Sequence, residues 1–288
     1  LLRQGASVLE VDGEGFGPLH WAAACSSPRV IALLVQHGAP VEAPSDGGET
    51  PLHRASRLGR ADNVKQLVQL GASARTTNDL FESGLDVAGA WPPGSVNTAL
   101  RKLSKTALLE ADPSLRTAVL HHAACLEHVA PDGHQESEER ITAVLRAVRD
   151  KKSFSRTEWT EVSDFPPAPD ATIVRAHSRR YVDLIRTLAA AVERYKTPVP
   201  FTPMVQRGMK RTELAALKVP EHSDTFFSPG SFRAATHAVG AVTHAVDLVL
   251  QNKAHNAICV VRPPGHHAGI EGLLEGSTHS ASCGFCIF

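Results

Sequence analysis

The sequence carries no excess charge: 30 Lys and Arg balance 30 Asp and Glu, for a formal net charge of zero. Nothing in that balance favours nonspecific binding to nucleic acid or to an anionic membrane surface. No apolar run is long enough to span a bilayer. Cysteine is sparse, and the five residues (Cys25, Cys125, Cys259, Cys283, Cys286) are scattered and odd in number. That excludes a disulfide framework and points to a reducing compartment, the nucleus or the cytoplasm. The chain also lacks an initiator Met and a signal peptide, opening on Leu1-Leu2-Arg3 and ending on Cys286-Ile287-Phe288 without a cap or turn. It reads as an internal piece of a longer protein. What remains is ordinary globular composition over 288 residues, enough for two domains.

The first hundred residues repeat. Gly5-Ala6, Gly38-Ala39 and Gly71-Ala72 recur every 33 residues, as do Pro18-Leu19-His20 and Pro51-Leu52-His53. Leu1, Leu34 and Leu67 keep the same register. Proline at a helix start has no amide hydrogen to lose. The glycine after Leu33-Leu34-Val35-Gln36-His37 ends a second helix. Each unit is therefore a helix pair that must stack on its neighbours to bury its apolar face. The period, with Thr50-Pro51-Leu52-His53-Arg54-Ala55, resembles the ankyrin repeat. The first repeat keeps only its second helix, Leu1 to Gly5; two complete repeats follow, roughly 12–44 and 45–77. A degenerate, terminal capping repeat comes next, in which Asp86 replaces the histidine, Trp91-Pro92-Pro93 enlarges the inter-helix turn and Asn97 to Leu103 form the second helix. Residues 1–104 thus read as an all-α solenoid, either a protein-recognition surface or a spacer for the next domain. His20 and His53 read as structural, satisfying turn backbone.

From residue 105 the pattern changes, and Thr106-Ala107-Leu108-Leu109 reads as opening a sheet. His121-His122 and His128 follow, but no partner stands at a fixed helical spacing, so they too read as structural. Ser228-Pro229-Gly230 precedes a long helix, Ser231 to Leu250, whose small residues permit close packing. Ala257-Ile258-Cys259-Val260-Val261 is an apolar run expected to be a buried strand, followed by a Pro263-Pro264-Gly265 corner and the adjacent imidazoles of His266 and His267. Histidine exchanges protons near neutral pH, and open α/β sheets place their chemistry at the carboxyl ends of strands. By itself such a pair fits a surface loop or an adventitious metal site as well as a proton-transfer site.

Several segments together resemble the histone deacetylases, class II in flavour, of the arginase/deacetylase superfamily. They are Cys125-Leu126-Glu127-His128; His134, Glu136 and Arg140 of an H-P-E-x-P-x-R pattern in which Gln135 and Glu138 replace the prolines; Val174 to Asp183; Asp224 to Ala235; Arg262 to Ala268; and Gly284-Phe285-Cys286. The resemblance covers 105–288, the N-terminal, incomplete portion of such a domain, and implies a partial doubly wound parallel α/β sheet. It implies hydrolysis of acetyl-lysine amides in histones or other proteins. His267 is the expected general base, with His266 beside it. Asp224 is expected at the rim, holding substrate backbone, although a loop Asp capping its own turn fits as well. Gly284 and Phe285 are expected to bind substrate. Arg140 is expected near an internal channel, or in a plain surface salt bridge. Zn²⁺ is the cofactor expected for the complete domain. No metal ligand is expected within this chain: the resemblance puts the ligands and a tyrosine beyond Phe288, and this piece alone is expected to be inactive. His279, Cys283 and Cys286 have zinc-like spacing but are one ligand short. Residues 269–283 are about twice as many as many class II relatives have there and are expected to form a rim loop, so substrate preference does not transfer. The other readings are an ankyrin scaffold with a degenerate deacetylase half, and an acetylpolyamine amidohydrolase. Expected partners are an acetylated protein substrate and proteins bound through the repeats, with no direct nucleic-acid or membrane partner.

Overall fold

The structure is a computed structural model that describes residues 4–25, 27–89, 97–150, 154–193, 198–201, 226–265 and 270. It divides into two compact units, Leu1–Arg116 and Thr117–Phe288.

The first unit is helical. Its pairs are α1 (Pro18–Cys25) with α2 (Pro28–Gln36), α3 (Pro51–Arg57) with α4 (Ala61–Gln69), and α5 (Gly84–Gly89) with α6 (Asn97–Ala111). Residues 33 apart do the same work. Leu19 and Leu52 are buried with Leu85 packed against them, and Ala22, Ala55 and Ala88 share that core, as do Ile31 with Val64 and Leu34 with Leu67. Gly38 closes α2 in the left-handed region, at φ +92°. The histidines tie one repeat to the next. His20 Nδ1 accepts from the Gly17 amide at 3.1 Å, and its Nε2 meets the Glu49 carbonyl at 2.9 Å. His53 repeats this with the Thr50 amide at 3.1 Å and the Glu82 carbonyl at 2.9 Å. An accepting Nδ1 puts the proton on Nε2, so the neutral ring suits both bonds. Burial pushes the His20 pKa below its ordinary value, which keeps that form. Asp86 accepts from the Ser83 amide at 2.9 Å and the Ser83 hydroxyl at 2.6 Å. It caps its helix as the imidazoles do, but a carboxylate has no N–H to send onward.

One expectation is overturned. Thr106–Leu109 does not open a sheet; it is the last part of α6, and Ala107, Leu108 and Leu109 join the core of the first unit. Four apolar residues suit a buried helix as well as a strand. Here they continue a run of good helix formers with no Gly or Pro until Pro113.

The second unit holds the parallel sheet. β1 (Thr117–Leu120) lies between β2 (Trp159–Val162) and β5 (Asn256–Cys259). Leu120 stands opposite Val162 on one side and Cys259 on the other. Helices cover both faces, as parallel sheets require. Val119 faces Ile141 and Leu145 of α7 (Glu139–Arg149). Ala118 and Leu120 face Ala241 and Ala245 of α10 (Ser231–Leu250). Between them in sequence come α8 (Asp170–Ile173), α9 (Arg179–Val192) and a small antiparallel pair, β3 (Val199–Pro200) with β4 (Phe226–Phe227). Tyr181, Ile185 and Leu188 of α9 bury themselves against Phe201 and Phe227.

β5 departs from expectation. It is the outer strand of the described sheet, and Ile258 is 53% exposed. Among the described residues no strand pairs with its far side, so the apolar run is only half-buried.

Candidate active site

The chain leaves β1 for β2 on one side and returns to β5 on the other, so the strand order reverses at β1. Such a switch point opens a crevice outside the carboxyl ends of the strands. His121 and His122 follow the end of β1 there, and Arg262-Pro263-Pro264-Gly265 follows the end of β5. His266, His267, Asp224, Gly284 and Phe285 lie outside the described residues, as do His279, Cys283 and Cys286.

Arg262, in the described corner after β5, is buried at 4% exposure. Its Nε donates to Glu136 Oε2 at 3.1 Å, and its Nη1 donates to the His128 carbonyl at 3.0 Å. A buried cation needs such partners, because desolvation otherwise outweighs what the charge gains. Arg262 Nη2 is buried without a partner among the described residues. Glu136 also pairs with Arg140, one turn on. Arg140 is mostly exposed, and it lines a cavity of about 290 Å³ with Glu136, Ile141, Val144, Ile258 and Arg262.

His128 lies behind this pair, within 2.8 Å of the Ser231 hydroxyl at the start of α10. Ser228 Oγ accepts from the Val129 amide at 3.0 Å and donates to the Glu127 carbonyl at 3.1 Å. A Cβ at Gly230 would come within 2.3 Å of the Glu127 carbonyl oxygen, so only glycine allows this approach. Ser228, Gly230 and Ser231 therefore clamp the 127–129 loop, and that loop holds Arg262. Burial, with Arg262 and His134 adding to it, drives the His128 pKa down to about 3. His128 is neutral at physiological pH and serves as a structural polar plug. His121 pairs with Glu161 at 2.6 Å. Arg149 foremost holds the Glu161 carboxyl below its ordinary pKa. His122 accepts from the Ala124 amide at 3.1 Å and stacks on His237, with ring centroids 4.1 Å apart. Burial first, then His237, lowers its pKa.

No three His, Cys, Asp or Glu side chains converge on a metal-sized site among the described residues. Asp132-Gly133-His134 spells a D-x-H, but it lies in the loop ahead of α7, where His134 Nδ1 accepts from the Glu136 amide at 3.1 Å. The described residues therefore do not fit the zinc that the sequence resemblance implies. Sequence reasoning did not pair Arg262 with Glu136. The signal was available: an arginine directly after an apolar strand needs an acidic partner, and Glu136 stands in a matched segment. His237 gave no signal, since its ring partner, His122, lies more than a hundred residues away in sequence.

A model of the histone deacetylase domain matches residues 134–288. The chain belongs to the histone deacetylase family. A model of ankyrin repeats, in three copies, matches residues 1–78. Type-2 histone deacetylase 1 of Dictyostelium discoideum is 30% identical over 197 residues, which is 60% of this chain and 13% of that protein. Type-2 histone deacetylase 2 of the same organism is 26% identical over 215 residues, 68% of this chain and 12% of that protein. Polyamine deacetylase HDAC10 of Rattus norvegicus is 29% identical over 176 residues, 60% of this chain and 25% of that protein. The chain thus spans a quarter or less of these relatives. Arg262 and Ser231, inside the matched region, meet His128, which lies just ahead of it in sequence.

Proposed function

We propose that the protein of which this chain is part hydrolyses acetyl-lysine amides, with His266 and His267 as its proton-transfer pair. One observation carries the reading: segments far apart in sequence, at 128, 136, 228–231 and 262, meet in one buried polar cluster directly before the tandem histidines. Such a cluster makes the corner rigid, and general acid–base catalysis needs imidazoles held within hydrogen-bond reach of the reacting atoms. His267 takes a proton from the water that adds to the acetyl carbon. The C–N bond breaks, the lysine amine leaves with a proton returned by the imidazole, and acetate is formed. His266 steadies the charge beside it. Asp224 holds the substrate backbone, and Gly284 and Phe285 flank the acetylated side chain. Arg140 belongs to an internal channel, a reading supported by its place with Arg262 on one cavity; its exposed ion pair with Glu136 supports the second reading, a surface salt bridge. The repeats recruit protein partners in the nucleus or cytoplasm. Zinc, as the family resemblance implies, belongs to the complete domain.

A second substrate class has its own support, because relatives at 29% identity are named polyamine deacetylases. Acetyl-lysine peptides and acetylated polyamines, assayed side by side on the complete protein, separate the two. Turnover of the peptides is expected; turnover of polyamines alone overturns the protein-substrate reading.

A further inference from the structure

Three equivalent turns of the first unit differ at one residue in a way helix packing does not require. Asp12–Phe16, Ser45–Glu49 and Asn78–Glu82 close alike: the first amide donates to the fifth carbonyl at 3.1, 2.9 and 3.0 Å. The fourth amide donates back to the first carbonyl at 3.1, 2.9 and 2.9 Å. The fourth residue has positive φ in every case: Gly15 at +78°, Gly48 at +72° and Phe81 at +60°. Glycine is the ordinary occupant of that region, and a bulky side chain there is an outlier.

The neighbours explain the two glycines. The Asp46 amide donates to the Glu14 carbonyl at 3.1 Å, and the Asp79 amide to the Gly47 carbonyl at 3.2 Å, so each turn stacks on the one before. A Cβ at Gly15 would lie 2.6 Å from the Asp46 nitrogen, and one at Gly48 would lie 2.9 Å from the Asp79 nitrogen. The third turn has no described successor. Leu80 is 76% exposed and Phe81 is 88% exposed. No described residue donates to the Leu80 carbonyl, which occupies the position of the Glu14 and Gly47 acceptors. Along the row, Asp12, Glu14, Asp46 and Asp79 are exposed, and the three turns contain no Lys, Arg or His.

We propose that this open end docks an extended segment of a basic protein partner. A backbone amide of the segment donates to the Leu80 carbonyl, continuing the stacking of the turns, as an added strand does at a sheet edge. A bulky apolar side chain of the segment packs on Leu80 and Phe81, and its Lys or Arg residues face Asp79 and Asp46. Aromatic anchors ringed by complementary charge are how such contacts gain affinity and register. A second copy of this chain is the poorer occupant. It would bring the same acids together, and two Leu-Phe pairs bury far less than the roughly 1,200 Å² of a stable interface. The proposal rests on reading the repeats as a protein-binding module and is independent of the deacetylase chemistry.

Fluorescence anisotropy on the 288-residue chain tests it with three labelled synthetic peptides, alternating Leu-Lys, Ser-Lys and Leu-Glu. The Leu-Lys peptide is expected to bind at least about tenfold more tightly than the other two. Phe81→Gly is expected to remove that advantage without lowering the thermal midpoint, because glycine suits the turn, and Phe81→Leu is expected to keep it. Equal binding by Phe81→Gly overturns docking at this turn and leaves the repeats a binding module through another face. A wild-type chain that binds none of the peptides, or all of them alike, overturns the proposed partner chemistry.

Discussion

At the scale of single residues, buried histidine sets how the second unit responds to acid. His128 has its pKa pushed down to about 3 in the folded chain by burial, whereas an unfolded histidine titrates near 6.5. Between those values the unfolded chain binds more protons, so its stabilisation is complete above about pH 6.5 and is lost as pH falls toward 3. Each pH unit in that window costs up to about 1.4 kcal/mol. The check is an imidazole NMR titration of the full chain, in which His128 stays neutral down to about pH 4. A midpoint near 6.5 would show the ring is solvated and the polar plug open. None of this was legible in the sequence, where His128 is one residue of a matched segment. Its depressed pKa arises from burial first and then from Arg262 and His134, and Arg262 lies more than a hundred residues away in sequence.

At the scale of elements, α6 decides where the first unit's core ends. Leu108 is fully buried there, so Leu108→Ala should destabilise the first unit by about 2–5 kcal/mol, read by urea unfolding of the full chain. A loss under 1 kcal/mol would mean that the end of α6 does not pack. The helix pairs before it were legible because their signals are local: a proline at a helix start, a glycine at its end and a 33-residue period. Ser231–Leu250 was legible for the same reason. The 106–109 run was misread because four apolar residues carry no period long enough to separate helix from strand. The exposure of β5 was invisible because an apolar run shows what a strand is made of, not what lies beside it.

At the scale of the whole molecule, the ankyrin repeats and the histone deacetylase region were each legible from short segments in the sequence. The way those segments meet was not. Glu136, His128, Ser231 and Arg262 are ordinary letters until the strand order reverses at β1 and brings them to one crevice. The cluster lies directly before the tandem histidines in sequence, and the proposed function has His266 and His267 move protons during amide hydrolysis. The direct measurement is acetate release from an acetyl-lysine peptide by the complete protein, wild type against His267→Ala. General acid–base catalysis is worth about 10²–10⁴ in rate, so the variant should lose at least about a hundredfold in kcat while its unfolding midpoint is unchanged. Near-normal turnover in a folded His267→Ala protein would contradict the account.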